Sequence, residues 1–319
     1  MSDNAVLDVD LLAFERGPAS KRDAVVDGVR RSLGTGFVTT THDLPADLLD
    51  EAYGMLRQFF SLPTEQKARW VAEGSHGQTG YTGLLVETAA TATLADWKEM
   101  LNWGAEVPAS HPLRTTYPHR YREQVLPEAD VPGITGVLAR FHHTLLDLQC
   151  RFLRVVAVAI GAAETYFDDI LVDGSHLTRA IHYPSMEGAG DHVWADAHCD
   201  INLITALPRA TGRGLQLRRP DGTWADVVPP EGHAVINSGL MLERLTNGRV
   251  PAGWHRVVAD PGQPGDRYSV VQFCHPAPWF QLGPLPSCVD AAHPVRYGTI
   301  EAGALLDRTL YEIGLIRPS

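Results

Sequence analysis

The feature that most constrains this chain is a change of hydrophobic period near residue 175. Beyond it, short runs of β-branched and aromatic residues recur at 178–183, 201–207, 214–219, 224–228, 234–237, 254–259 and 268–274. Turn-forming clusters separate them, among them Pro220-Asp-Gly222 and Pro261-Gly-Gln-Pro-Gly265. Glycine and proline set the backbone angles that reverse a chain, so such clusters mark strand ends. Many short strands at this spacing predict a sandwich or barrel, and a jelly roll is one closed solution.

The first half reads differently. Residues 21–33 place Ala24, Val25, Val29 and Leu33 close to helical spacing, Gly34-Thr-Gly36 breaks the pattern, and 37–40 reads as a strand. Residues 44–60 return to helix, with Asp43 as the expected N-cap. Residues 71–133, rich in Gly, Pro, Thr and Trp, lack sustained periodicity and read as an irregular connection with short elements. Residues 134–160 carry the longest amphipathic pattern, suited to a helix packed against something large. The tail at 299–316 is helical again.

The expected organisation is one integrated domain in four segments: a mixed helical region with irregular connection (1–133), a long packing helix and connection (134–174), a jelly-roll catalytic core (175–285) and a C-terminal helical tail (286–319). The fold class is α+β, a double-stranded β-helix (jelly-roll) core flanked by helices.

Composition removes other classes. With 319 residues, 44% hydrophobic, the chain is long enough to bury a sizeable core. A net charge of −11 argues against a nucleic-acid or anionic-membrane surface. The sequence MSDNAVLDVD lacks the pattern of a secretory signal, and the most apolar run, 155–163, is about half a membrane span. Cys150, Cys199, Cys274 and Cys288 are scattered, as expected of reduced thiols in a cytoplasmic protein. Of 27 basic residues only Lys21, Lys67 and Lys98 are lysines, so the arginines invite individual attention.

The chemistry-bearing residues lie in the β-rich half. His198-Cys-Asp200 on a strand would point the imidazole and carboxylate to one face and Cys199 to the other. Alone this is a common chance pattern. His255 opens a later strand, and Arg267-Tyr-Ser269 places a guanidinium and a hydroxyl on one face of another. Two imidazoles and a carboxylate make a facial triad that leaves three sites of an octahedral metal open. An arginine with a hydroxyl nearby grips a carboxylate through charge-assisted hydrogen bonds.

In this order the motifs resemble the isopenicillin N synthase-like branch of the Fe(II)/2-oxoglutarate-dependent oxygenases. The resemblance spans most of the chain: Gly36-Phe-Val38, Phe59-Phe-Ser-Leu-Pro-Thr-Glu-Gln-Lys67, Gly80-Tyr81, Asp96-Trp-Lys-Glu99, Arg179-Ala-Ile-His-Tyr-Pro184, His198-Cys-Asp200, Gly214-Leu-Gln216, Thr246-Asn-Gly248, His255-Arg-Val257 and Arg267-Tyr-Ser269. It implies Fe(II) bound by His198, Asp200 and His255, and 2-oxoglutarate held at its distal carboxylate by Arg267 and Ser269 with help from Tyr183. Dioxygen would be the oxidant and a small metabolite the substrate, with hydroxylation as the default outcome and desaturation, ring closure or epoxidation as variants. Asp200 sets the chain apart from family halogenases, which carry a small residue there. Departures from the family pattern are Ile181, Leu240 and Trp254.

Tyr81 and Asn202 are the expected substrate contacts, Asn202 because it and Ile204 continue the parity of His198 and Asp200. His142-His143 reads as helix packing and Cys199 as a buried thiol. Two rival functions stay open: an isopenicillin N synthase-type iron oxidase that uses no 2-oxoglutarate, and a non-enzymatic β-sandwich binder. Neither a nucleic-acid nor a membrane partner is expected, a tailoring step in secondary metabolism fits the composition, and nothing in the sequence sets an oligomeric state.

Overall fold

The computed structural model describes residues 6–89, 92–260, 262 and 265–312. Four strands come from the first third: β1 (Asp8–Val9), β2 (Phe37–Thr41), β3 (Gly80–Thr82) and β4 (Glu99–Trp103). The β-rich half supplies β5 (Leu177–Tyr183), β6 (Ala195–His198), β7 (Ile204–Ala210), β8 (Leu215–Arg218) and β9 (Trp224–Asp226). It continues with β10 (His233–Ser238), β11 (His255–Val257) and β12 (Arg267–Cys274).

A major eight-stranded sheet runs in the order β1-β2-β10-β7-β12-β5-β4-β3, and a minor one in the order β6-β11-β8-β9. The two face each other as a jelly roll with the functional residues between them. The first third therefore completes both edges of the major sheet. Within the irregular connection at 71–133, the short strand β3 pairs with β4, and β4 with β5.

Helices cover the outer face of the major sheet. The two N-terminal helices are α1 (Leu11–Arg16) and α2 (Ala19–Ser32), followed by α3 (Ala46–Phe60). The long helix α4 (Ile134–Ala159) buries Leu138, Leu145, Leu148 and Phe152 completely or nearly so. Its stripe repeats every three to four residues, which is what a helix laid on a sheet requires. Asp43 does not cap α3: Pro45 occupies that position and Asp43 instead accepts from Arg151 at 2.8 Å. The C-terminal helix α5 (Ala302–Glu312) buries Leu305, Leu306 and Leu310, and the part of the expected tail at 313–316 lies outside the described residues. Among the described residues no helix is long and apolar enough to cross a membrane.

Gly36 shows how tightly the N-terminal segment is tied in. It has φ +78°, and a Cβ there would lie 2.5 Å from the Gly253 Cα. Only glycine meets both demands, and the approach packs the start of β2 against the turn that precedes His255.

Candidate active site

β6 and β11 run antiparallel, and their register sets His198 opposite His255. The Nδ1 atoms of His198 and His255 lie 2.7 and 2.9 Å from the carbonyl oxygens of Asp196 and Gly253. A carbonyl only accepts, so each Nδ1 carries the proton and each Nε2 keeps its lone pair. Burial pushes the His198 pKa down to about 4, and neighbouring His255 adds to the effect.

Asp200 lies just past the end of β6. Its Oδ2 accepts from Thr205 Oγ1 at 2.5 Å and Asn237 Nδ2 at 2.7 Å, which holds the carboxylate in one orientation and leaves Oδ1 free. Burial opposes ionisation of Asp200, but the two imidazoles and these hydrogen bonds outweigh it, so the carboxyl titrates below its ordinary range. One ligand atom from each of the three residues lies within 4.8 Å of the others. Nitrogen and oxygen donors on one side, with the opposite side open, fit a ferrous ion with positions to spare. No other His, Cys, Asp or Glu trio converges this way among the described residues.

Behind the triad, between the sheets, lies an inner chamber of about 70 Å³. Its far end is Arg267, 2% exposed, whose Nη1 donates to Ser269 Oγ at 3.2 Å and whose Nε donates to the Gly212 carbonyl at 3.2 Å. The Tyr183 ring lies 4.9 Å from the guanidinium carbon. Burial lowers the Arg267 pKa, and no carboxylate pairs with it among the described residues. A buried cation without a counter-ion is costly unless something anionic arrives. The donor fork and hydroxyl fit the distal carboxylate of a keto acid whose other end reaches the metal.

In front of the triad opens a second cavity, about 290 Å³. A charged quartet forms one wall. Lys98 Nζ lies 2.7 Å from Asp96 Oδ2 and 3.1 Å from Glu87 Oε2. Arg179 reaches Glu87 at 3.3 Å, donates Nε to Asn102 Oδ1 at 2.7 Å and lies over the Phe273 ring. Burial would raise the Glu87 pKa, but Arg179 and Lys98 overcome it and hold it down to about 2. Trp254, Leu240, Leu310 and His275 complete the walls.

Of the sequence-assigned residues, the metal and carboxylate sets converge as described. Asn202 lines the front cavity but spends its amide on the Ile204 carbonyl (2.5 Å) and Thr205 Oγ1 (3.0 Å), so it positions Thr205. Tyr81 is corrected: it lines neither cavity and donates to Glu99, within a buried cluster of Lys67, Glu99 and His182. Ile204 is also corrected, because β6 stops at His198 and the chain crosses to the major sheet, where Ile204 enters the core. Cys199 lines the front cavity rather than turning away from it, and burial raises its pKa to about 12. His142 is buried against Thr178 and Gln272, as packing predicts. Thr205, Asn237, Glu87, Lys98 and His275 escaped sequence reasoning. For Lys98 a signal existed, since it sits in the Asp96-Trp-Lys-Glu99 motif. The three departures from the family pattern all fall on cavity walls: Leu240 and Trp254 in front, Ile181 in the inner chamber.

Comparison with known proteins identifies the class. Residues 6–128 match the family described as non-haem dioxygenase in morphine synthesis N-terminal, and residues 174–276 match the 2OG-Fe(II) oxygenase superfamily. The 2-oxoglutarate-dependent dioxygenase tropC of Talaromyces stipitatus is 30% identical over 295 residues, 86% of this chain and 87% of its own. Azadirone synthase LFS of Melia azedarach is 29% identical over 84% of this chain and 81% of its own. Among solved structures, a Caulobacter crescentus protein of the 2OG-Fe(II) oxygenase family superposes with TM-score 0.85 at 32% identity, covering 97% of this chain and 99% of its own. The chain belongs to the 2OG-Fe(II) oxygenase superfamily. It is an Fe(II)- and 2-oxoglutarate-dependent dioxygenase that acts on a small molecule, with dioxygen as co-substrate.

Proposed function

We propose that this enzyme hydroxylates an uncharged small metabolite, with His198, Asp200 and His255 holding Fe(II) and Arg267, Ser269 and Tyr183 holding 2-oxoglutarate. What carries this assignment is the unpaired guanidinium of Arg267 facing the triad across the inner chamber. Bound iron supplies dioxygen activation coupled to oxidative decarboxylation of the keto acid. The chain's own residues do the rest. Nδ1 hydrogen bonds orient both imidazoles, Thr205 and Asn237 orient Asp200, and Arg267 draws one end of the keto acid away from the metal.

The charge balance favours a neutral substrate. Glu87 and Asp96 cancel Lys98 and Arg179 in the front wall. A dipositive iron with Asp200, and a dianionic keto acid with Arg267, also cancel. An ionic substrate would therefore be buried without compensation, at a cost that an uncharged one avoids. The substrate's polar edge faces Arg179 and Lys98, and its apolar body lies against Phe273, Trp254 and Leu310. Tailoring in secondary metabolism suits this description, as do a cytoplasmic location and the absence of nucleic-acid or membrane partners.

The test is succinate release from the iron-loaded enzyme across a panel of neutral, anionic and cationic metabolites of similar size. Neutral compounds should stimulate succinate formation in proportion to oxidised product, and His255→Ala should abolish it. Product formation without succinate would replace this assignment with the iron-oxidase alternative. Stimulation by ionic compounds alone would overturn the charge argument.

A further inference from the structure

A third cavity, about 650 Å³, is larger than the other two. It opens at the start of α3 and between the segments 208–213 and 227–233. It shares no lining residue with the front cavity, yet Leu207, Leu215, Val235 and Arg267 line both it and the inner chamber. The chamber in turn shares His198, Asp200, Lys98, Arg179 and Phe273 with the front cavity. The three spaces therefore stand in series. The front cavity meets the chamber at the metal ligands, and the rear cavity meets it at Arg267 across a partition one side chain thick.

We propose that the rear cavity is the path by which the dicarboxylate co-substrate reaches its site and by which the dicarboxylate product leaves. This inference rests on the assignment of Arg267 to 2-oxoglutarate. With the metal in place, the front connection runs past the occupied ligand set of His198 and Asp200, whereas the rear partition consists of three aliphatic side chains and the guanidinium itself. Passage through this partition needs rotamer changes of these side chains and no opening of the backbone. The carboxylate that Arg267 binds would be the trailing end on entry and the leading end on departure, since Arg267 also touches the rear space. The rear lining carries Arg209, Arg213 and Arg267 against the single carboxylate of Glu231. Asp50 pairs with Arg209, and Asp8 with His233, from outside the wall.

Ala210 lines the rear cavity and not the chamber, and it pairs in register with Ser269 across β7 and β12. Because Ala210 itself lines the rear cavity, a large side chain at 210 fills the rear passage. The test follows 2-oxoglutarate binding to the anaerobic iron-loaded protein through the visible band of the iron–keto acid chelate. Association is read by stopped flow, and dissociation by chase with a non-absorbing dicarboxylate. In Ala210→Trp both rates should fall at least about tenfold while Kd stays within about twofold, because a plug changes the path and not the end states. Thr309→Trp, in the front wall, should leave both rates unchanged.

Glu231→Lys provides an independent reading should the tryptophan variant not fold. Reversing the only carboxylate of the rear wall should accelerate association severalfold at low salt and lose that effect at high salt. Unchanged rates in Ala210→Trp, slowed exchange in Thr309→Trp, or salt-independent unchanged association in Glu231→Lys would each overturn the rear path. Absence of any chelate in the wild-type protein would instead overturn the co-substrate assignment, and the path with it.

Discussion

Replacing Arg267 by methionine should raise the stability of the ligand-free protein while nearly removing its affinity for 2-oxoglutarate. The two effects have opposite signs because the guanidinium is buried, lacks a carboxylate partner among the described residues, and is held instead by hydrogen bonds with Ser269 Oγ, the Gly212 carbonyl and Tyr183. Each of those contributes about 1 kcal/mol net, whereas the desolvated charge costs several kcal/mol. Methionine keeps most of the stem volume, so the balance favours the variant by about 1 kcal/mol, or ~2 °C in Tm. Two charge-assisted hydrogen bonds to the incoming carboxylate would be lost, about 3 kcal/mol, and affinity would weaken ~150-fold. At 2-oxoglutarate about 100 times the wild-type Kd, the wild type gains ~2.7 kcal/mol and the variant only ~0.3 kcal/mol. Thermal denaturation of the iron-loaded protein with and without the keto acid, under anaerobic conditions, reads all three quantities. Loss of more than about 2 kcal/mol in the ligand-free variant would show that Arg267 is a structural member of the fold. Equal stabilisation of both proteins by 2-oxoglutarate would place the carboxylate elsewhere.

Three further outcomes can be checked. Thr205→Val and Asn237→Leu each remove a hydrogen bond from Asp200 Oδ2, so Fe(II) affinity should fall about 10- to 100-fold by anaerobic titration, with unchanged circular dichroism; retained affinity would refute their orienting role. Glu87 is held near pKa 2, below its unfolded value, so its contribution is present above about pH 4.5 and is lost as pH falls through the folded pKa. Its size is about 3 kcal/mol, and Glu87→Gln should flatten the acid limb of the stability profile between about pH 5 and 2 by that amount, whereas an unaltered limb would contradict the ion cluster. Tyr81→Phe should cost about 1–2 kcal/mol of stability through the lost Glu99 hydrogen bond and leave both substrate KM values unchanged; a raised metabolite KM would restore Tyr81 to the active site.

The triad and Arg267-Tyr-Ser269 were legible because each lies on a strand or at its end, where spacing maps directly onto direction. The parity argument for Ile204 failed where the chain leaves one sheet for the other between His198 and Ile204, so alternation does not carry across. The charged quartet was invisible for a different reason. Glu87, Asp96 and Lys98 precede β4 in irregular chain and Arg179 lies on β5, so no period relates them, and β4 itself is buried at all five positions. A strand buried on both sides shows no alternation, and a buried glutamate that is paired reads in sequence like a surface one. Lys98 and Glu87 become recognisable only once folding has brought Arg179 beside them. The expected cap at Asp43 failed because Arg151, from the distant helix α4, offers that carboxylate a stronger partner than helix α3 does.

The arginine bias also gains a physical reading. Arg151 contacts Glu15, Asp43 and Asp147, Arg154 contacts Asp168, and Arg209 contacts Asp50, all at least partly exposed. Exposed pairs of this kind contribute little to stability and substitute for what lysines do elsewhere. Arg120, whose side chain is buried, has Asp307 at 2.6 Å and so anchors the C-terminal helix rather than a ligand. Arg179 is compensated by Glu87 and shapes the front wall. Of these three interior arginines, Arg267 alone carries its charge without a carboxylate among the described residues, inside a chamber sized for one. Burial by itself does not separate a binding arginine from a structural one; burial without a counter-ion does, because the protein tolerates that cost only where a ligand relieves it.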